Sequence, residues 1–138
     1  MFLETILSDA IRADDSQRKS PSAVAGRWRN RLGSTMELTV GVDHRIEGTF
    51  HTGVGVPDAS SSYHLVGFAE GEAIAFCVDF GRRGSVASWS GHHVADDEHG
   101  ERLVTLWHLA QPVREAQGEA DVWLALMAGS DEFTRAEE

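Results

Sequence analysis

From residue 26 onward, apolar and polar residues alternate with a period of two over short segments. In RWRNRL (27–32), Trp28, Asn30 and Leu32 alternate with three arginines, and the same alternation resumes in MELTV (36–40). Because successive side chains of a β-strand point to opposite faces, this period predicts strands with one charged face and one face turned toward a core.

Six further strand-like segments follow, at roughly 45–54, 62–69, 72–80, 84–92, 101–110 and 121–130. Turn residues separate them and no helical period lies between them, so each of the eight strands is expected to pair antiparallel with the next. Closure removes the exposed edges that an open sheet would have. The sequence therefore predicts an all-β fold, an eight-stranded antiparallel up-and-down β-barrel.

The chain has 138 residues, which is the size of one ordinary domain. We expect an N-terminal extension and linker over 1–25, the barrel over 26–134 and a C-terminal tail over 135–138. Apolar residues recur at helical spacing over 2–13, which predicts a short amphipathic helix. Acidic residues interrupt this stretch, unlike in a secretory signal, so the numbering fits a cytosolic chain or a mature form whose export segment has been removed.

The formal net charge of −10 limits the classes of partner. Long-range attraction to nucleic-acid phosphates or to anionic lipid is disfavoured, and no apolar run approaches the roughly 20 residues of a membrane span. We therefore expect neither nucleic acid nor a membrane as a partner. The single cysteine, Cys77, excludes an internal disulfide and is predicted to be a small buried or half-buried residue.

The alternation also predicts which side chains point into the barrel. This inward set comprises Trp28, Asn30, Leu32, Phe50, Thr52, Val54, Phe76, Val78, Phe80, Ser85, Ala87, Trp89, Trp107, Leu109, Met127 and Asp131. Buried polar groups without partners cost about 1–3 kcal/mol each, so the polar members imply either a network inside a filled barrel or a ligand that pairs with them. An aromatic cavity with a few polar groups is typical of a small-molecule site, but the residues alone leave both interpretations open.

Apolar residues also occupy the opposite faces of the last two predicted strands. They are Val104, Leu106, Ala110, Val122, Leu124, Leu126 and Ala128. A strand that is apolar on both faces is usually covered on both faces. In a barrel with few helices, the expected cover is another subunit.

Five segments resemble the avidin and streptavidin family of biotin-binding proteins in order, spacing and strand context. They are GRWRNRLGST (26–35), GTFHTGVG (48–55), SVASWSGHHV (85–94), LVTLWHL (103–109) and EADVWLALMAGSDEFT (119–134). The similarity covers about residues 26–134, and its most specific features are W-x-N-x-L-G-S, W-S-G and the closing W-x7-D spacing. The resemblance implies non-enzymatic, high-affinity binding of biotin in the barrel cavity, with no cofactor.

The resemblance also implies roles for individual residues. Asn30 and Ser34 correspond to donors to the ureido oxygen of biotin, and Asp131 and Thr52 correspond to acceptors for its two ureido N–H groups. Ser85 corresponds to a hydroxyl near the valerate carboxylate. The predicted ligand-binding set is completed by Leu32, Phe50, Val54, Gly55, Phe80, Ala87, Trp89, Trp107, Leu109, Trp123 and Met127.

Trp123 has a particular place in the resemblance. It corresponds to the tryptophan that each subunit of the family contributes to the site of its neighbour. This agrees with the strands that are apolar on both faces. A homo-oligomer is therefore expected, with a tetramer favoured over a dimer.

Two positions depart from the family's pattern. Phe50 stands where the family usually has a tyrosine whose hydroxyl is a third donor to the ureido oxygen, and Ala87 replaces a threonine that usually touches the thioether sulfur. Loss of one donor to a polarised oxygen costs about 1.5–3 kcal/mol, or about one to two decades in affinity. Biotin is therefore expected to bind less tightly than in the strongest members.

Two alternative functions remain open from the residues. One is a lipocalin-like carrier of another small ligand, or a barrel with weakened biotin binding. The other is a metal-dependent enzyme built on HHVADDEH (92–99), with His92, His93, Asp96 and His99 as candidate ligands. That segment lies in a predicted hairpin, where a solvated charged loop is usual, and adjacent histidines of a strand point to opposite faces. No G-x-S-x-G motif or assignable Ser-His-acid set is visible, so no enzymatic activity is expected.

Overall fold

The structure is a computed structural model that describes residues 2–13, 20–21, 23–53, 62–113 and 118–136. Its helices and strands are α1 (Leu3–Ala13), β1 (Gly26–Asn30), β2 (Thr35–Val40), β3 (Arg45–His51), β4 (Ser62–Glu70), β5 (Ala73–Asp79), β6 (Val86–Asp96), β7 (Gly100–Ala110), α2 (Glu119–Leu124) and β8 (Leu126–Arg135). Short 3-10 turns at Val42–His44 and Gly81–Arg83 precede β3 and β6. Each strand pairs antiparallel with the next and β8 pairs with β1, so the eight strands close into a barrel. This confirms the predicted fold class.

The inward faces of the strands form one shared core. The largest fully buried side chains are Trp28, Phe76, Phe133, Met36, Leu38, Ile46, Leu65, Leu103, Val24 and Val78. Full burial of a large apolar side chain contributes about 1.5–3 kcal/mol, so residues from widely separated strands together hold the barrel closed.

Arg135, at the end of β8, holds the chain that leads into β1 across one end of the barrel. Its guanidinium lies 4.1 Å from the centroid of the Trp28 ring and donates to both carboxylate oxygens of Glu101, at 2.9 and 3.0 Å. It also donates to the backbone carbonyls of Ala23 and Ala25, each at 2.6 Å. We call this end, which also carries the β6–β7 hairpin tip, the closed end. The opposite end, with the β1–β2 and β5–β6 connections, is the mouth.

The region predicted as the eighth strand is a helix followed by a strand. The alternation predicted a strand over 121–130, whereas α2 covers Glu119–Leu124 and β8 begins at Leu126. Val122, Leu124 and Leu126 are spaced by two, as on one face of a strand. Glu119 and Asp121, however, place negative charge in the first helical turn, where the helix dipole favours it. The expectation that no helix lies between the strands is therefore wrong at this point.

Three burial predictions are also wrong. Leu32 is 67% exposed because β1 ends before it, and strand alternation does not continue into the turn. Met127 is 49% exposed at the mouth, where β8 begins. Cys77 is exposed because it lies on the outer face of β5, between the inward-facing Phe76 and Val78.

Apolar side chains remain exposed on the outside of the barrel and on the helices. Leu106 on β7 is exposed. On α2, Trp123 is 65% exposed and Leu124 is 77% exposed. Helix α1 confirms the predicted N-terminal helix, and its Ile6 and Leu7 side chains are also exposed. Neither α1 nor α2 is long and apolar enough to cross a membrane, and no other α-helix occurs among the described residues.

Candidate functional site

Asn30, Trp89 and Asp131 meet inside the barrel. Asn30 ends β1, and its Nδ2 donates to Asp131 Oδ2 at 3.1 Å. Trp89 on β6 donates from Nε1 to the same oxygen at 3.4 Å. Two residues that the alternation predicted to point inward therefore donate to one carboxylate oxygen of a third, and the three residues come from three different strands.

Ser34, which precedes β2, is buried and tied to two neighbours. Its backbone N–H donates to Asn30 Oδ1 at 2.9 Å, and its Oγ accepts from the Gly53 N–H at 2.9 Å. Because Oγ acts as an acceptor in this contact, the hydroxyl proton can be donated elsewhere. The Asn30 amide is fixed in the same way, since Ser34 and Asp131 hold its two ends and its second Nδ2–H remains available.

Thr105 holds the backbone of Asp131 from the neighbouring strand. The two residues are opposite each other in the β7–β8 register. Thr105 is buried, and its Oγ1 donates to the Asp131 carbonyl at 2.8 Å. The prediction from sequence did not include Thr105, although it shares the alternation of Trp107 and Leu109 on β7. Its position two residues before Trp107 on the same strand was the signal that could have identified Thr105 as inward-facing.

Aromatic rings surround the polar cluster. Trp89 stacks on Phe76 with ring centroids 5.1 Å apart and lies 5.2 Å from Phe50. Phe50 meets Phe80 edge to face at 6.3 Å, and Phe80 meets Tyr63 in the same way at 4.9 Å. These rings supply apolar surface beside the polar cluster. Phe50 contributes only its ring, because phenylalanine has no hydroxyl group that could donate a hydrogen bond.

Four further predicted residues lie toward the mouth. Thr52 follows β3 and Ser85 precedes β6, and both are partly buried. Ala87 is buried, and Leu109, opposite it in the β6–β7 register, is partly buried. The strands thus bring these side chains to the same end of the barrel as Asn30 and Ser34.

The other predicted residues have different positions. Trp107 is opposite Trp89 in the β6–β7 register, and its Nε1 donates to the Ser130 carbonyl at 3.3 Å. Leu32, Met127 and Trp123 are exposed, in the β1–β2 turn, at the start of β8 and on α2. Val54 and Gly55 lie outside the described residues.

The hairpin tip between β6 and β7 lies at the closed end, away from the polar cluster. His93 contacts Glu101 at 2.8 Å and meets the Trp28 ring edge to face. The His99 backbone N–H donates to the Asp96 carboxylate at 2.6 Å, and this hydrogen bond lowers the pKa of Asp96. Within the described parts of the chain, no three His, Cys, Asp or Glu side chains are arranged to hold a metal ion.

The polar cluster is suited to a small ligand that carries one strong acceptor beside N–H donors. The Ser34 hydroxyl and the second Asn30 N–H supply donors, and the Asp131 carboxylate supplies an acceptor. These groups are already oriented by the protein's own hydrogen bonds, so a ligand would order few side chains on binding. A ligand held against the adjoining rings would be shielded from water, and such shielding strengthens polar contacts.

Comparison with known proteins agrees with the fold. Residues 18–136 match the model of the avidin family. Afifavidin from Afifella pfennigii is 32% identical over 143 aligned positions, covering 96% of this chain and 85% of that protein. The crystal structure of xenavidin superposes with a TM-score of 0.70 at 26% identity, covering 85% of this chain and 100% of that one. The X-ray structure of biotin binding protein from chicken gives a TM-score of 0.70 at 25% identity, covering 85% and 98% of the two chains.

The sequence match spans the whole barrel, from β1 to β8. The fold and these relatives lead to one assignment. The chain belongs to the avidin family.

Proposed function

We propose that this protein is a non-enzymatic binder of biotin, held in the barrel with its ureido group against Asn30, Ser34 and Asp131. The observation that carries the proposal is the preformed hydrogen-bond network of these three residues. A ureido group has one strong acceptor and two N–H donors, which is the complement of this network. No cofactor is needed for such binding.

The aromatic rings support the same ligand. Biotin's fused rings are compact and apolar apart from the ureido edge and the sulfur. Trp89, Phe76 and Phe50 form a continuous ring wall beside the polar cluster. Burial of apolar ligand surface contributes about 25 cal/mol per Å2. The polar edge would then give orientation, and the rings would give most of the burial.

A titration with a matched pair of variants tests the proposal. Asp131→Asn removes the charged acceptor, while Glu132→Gln makes the same change of charge on the next residue, which is exposed and pairs with Arg102 at 3.1 Å. Isothermal titration calorimetry should show saturable biotin binding by the wild type and by Glu132→Gln. Asp131→Asn should weaken it by about ten- to a hundredfold, since a hydrogen bond to a charged group is worth about 1.5–3 kcal/mol. Absence of heat or thermal shift with excess biotin in the wild type would sink the proposal.

We also propose that the protein is a homo-oligomer, a tetramer rather than a dimer, in which Trp123 completes a neighbouring site. Supporting this, the exposed side chains of Trp123, Leu126 and Met127 adjoin Ala110 and Ala128 in an apolar hollow of about 430 Å3 on the outside of β6–β8. Apolar surface of this kind is usually covered by a partner.

Two measurements test the assembly. Sedimentation or light scattering should give a mass of several chains in solution. Trp123→Ala should weaken biotin binding and assembly, whereas Val42→Ala, which also removes an exposed apolar side chain but at the closed end, should change neither. A Trp123→Ala variant with the wild-type affinity would show that this residue contributes nothing to a neighbouring site.

A further inference from the structure

The outer surface of β6, β7 and β8 lacks charged side chains over most of its length. Charged residues make up 25% of the chain, and its net charge is −10. In spite of this, the outward-facing positions of 86–92, 104–110 and 126–130 contain no Asp, Glu, Lys or Arg. We call these outward-facing positions the uncharged face.

His108 lies in the middle strand of the uncharged face. It is opposite Ser88 in the β6–β7 register and opposite Ala128 in the β7–β8 register. His108 is exposed and lines the apolar hollow of about 430 Å3, together with Trp123 and Leu126. Its imidazole is therefore an ionisable group in mostly apolar surroundings.

No other ionisable side chain lines this hollow among the residues that the structure describes. On the outward faces of β6, β7 and β8, the other ionisable residues lie toward the closed end, and they are His92, Asp96, Arg102 and Glu132. Helix α2 carries Glu119 and Asp121 in its first turn, and neither lines the hollow. A charge on His108 would therefore have no carboxylate beside it in the hollow.

A second copy of this chain is the partner that the uncharged face fits. Two copies that each carry a net charge of −10 repel each other, so contact costs least where neither surface is charged. Leu106 and Trp123 are 61% and 65% exposed, and apolar surface of this kind is usually covered by a partner. A two-fold axis through this face would place the same uncharged positions opposite His108.

We propose that His108 makes the assembly depend on pH, so that subunits associate while its imidazole is neutral and separate when it is protonated. The inference rests on the proposed assembly and adds the regulation of that interface. A neutral imidazole is buried against apolar surface at low cost, whereas a charged one loses its hydration and gains no carboxylate. Separate subunits therefore bind more protons than assembled ones, and acid shifts the equilibrium toward them.

The size of the effect follows from the number of histidines that are buried. An imidazole in water gains its charge as the pH falls through about 6.5, and a two-fold interface buries two copies of His108. The dissociation constant of the assembly should therefore rise by about ten- to a hundredfold between about pH 7.5 and about pH 5.5. Both values lie above 4.5, the ordinary pKa of Glu101, which the hydrogen bond from Arg135 lowers further.

Sedimentation velocity of the full-length protein without biotin, at these two pH values, tests the inference in four forms. These are the wild type, His108→Gln, His108→Lys and the control His51→Gln, which removes an exposed histidine from β3, outside the uncharged face. The wild type and the control should be assembled at the higher pH and separate at the lower one. His108→Gln, which takes up no charge, should stay assembled at both, and His108→Lys should be separate at both. Circular dichroism verifies that each sample is folded.

The outcomes distinguish this inference from the proposed assembly. An assembled wild type whose mass is the same at both pH values overturns the inference while the assembly stands. Acid separation of His108→Gln, or an assembled and folded His108→Lys, overturns it as well, because charge at position 108 would then have no effect. Loss of the pH dependence in His51→Gln assigns the effect to another histidine and also overturns it. If the wild type is a single chain at both pH values, the proposed assembly and the inference are both wrong.

Discussion

The indole of Trp107 lies directly against the backbone of Gly129 on the adjacent strand. A Cβ at position 129 would come within 2.5 Å of Trp107 Cζ2 and 2.7 Å of Cε2, closer than real contacts allow. The two residues are opposite each other in the β7–β8 register, so the position of the ring depends on the absence of a side chain.

Gly129→Ala should displace the Trp107 ring and weaken ligand binding. Overpacking of a filled site costs about 1–3 kcal/mol, so we expect biotin affinity to fall by about ten- to a hundredfold. Calorimetry and the intrinsic tryptophan fluorescence of the free protein report the two effects. Gly41→Ala is the control, because a Cβ there meets only the Arg45 carbonyl, at 4.0 Å, and its φ of −103° suits alanine. Equal behaviour of the two variants would contradict the steric argument.

Thr105→Val should lower the free energy of unfolding by about 1–2 kcal/mol and weaken ligand binding. The substitution keeps the shape of the side chain but leaves the Asp131 carbonyl without its buried donor. Thr39→Val is the matched control, since Thr39 Oγ1 also donates to a backbone carbonyl, that of Glu47 at 3.1 Å, but at an exposed position. Urea unfolding of both variants measures the difference. A similar loss in the two would mean that burial of Thr105 is unimportant.

Glu101 should make the stability of the barrel depend on acid pH. Its hydrogen bonds from Arg135, and secondarily from His93, lower the pKa of Glu101 below its ordinary value of 4.5. A carboxyl with a depressed folded pKa contributes stability that is present above the unfolded pKa and is lost as pH falls through the folded pKa. The wild type should therefore lose stability below about pH 4.5 in part through this group.

Glu101→Gln tests this dependence. At neutral pH it should reduce the free energy of unfolding by about 1–2 kcal/mol, through loss of the charge-assisted pair with Arg135. The variant should lose less further stability on acidification than the wild type. Glu37→Gln, on the exposed outer face of β2, makes the same charge change as a control. Parallel acid profiles for wild type and Glu101→Gln would rule out the contribution of this group.

Phe50→Tyr should tighten biotin binding by about tenfold. The phenol would add a donor to the group formed by Asn30 and Ser34, and one added hydrogen bond is worth about 1 kcal/mol or somewhat more. The thermal midpoint of the free protein serves as the control for repacking against Phe80 and Trp89. Unchanged or weaker affinity in a stably folded variant would show that the pocket is organised differently.

Strand parity predicted correctly the inward direction of those site residues that lie within regular strands. Asn30, Trp89 and Asp131 each follow a clear period of two, so strand parity placed them correctly. Parity failed at Leu32 and Met127 because these residues lie where a strand ends or begins, and there exposure is set by the turn. At α2, the segment VWLAL is apolar throughout, and a short continuous apolar run does not distinguish a strand from a helix.

Arg135 could not be predicted from local pattern. Its partners are Glu101 and the carbonyls of Ala23 and Ala25, and the last two lie more than a hundred residues earlier in the chain. Only barrel closure brings them together. Thr105 is a different case. The alternation along β7 is enough to predict that its side chain points inward, but its hydrogen bond to the Asp131 carbonyl depends on the register of β7 with β8.

The grip of Arg135 on Ala23 and Ala25 also fixes the direction in which the chain enters the barrel. The chain therefore enters β1 on the far side of the molecule from Asn30 and the mouth. A label attached at the exposed Ala23 would therefore lie at the opposite end of the barrel from the mouth.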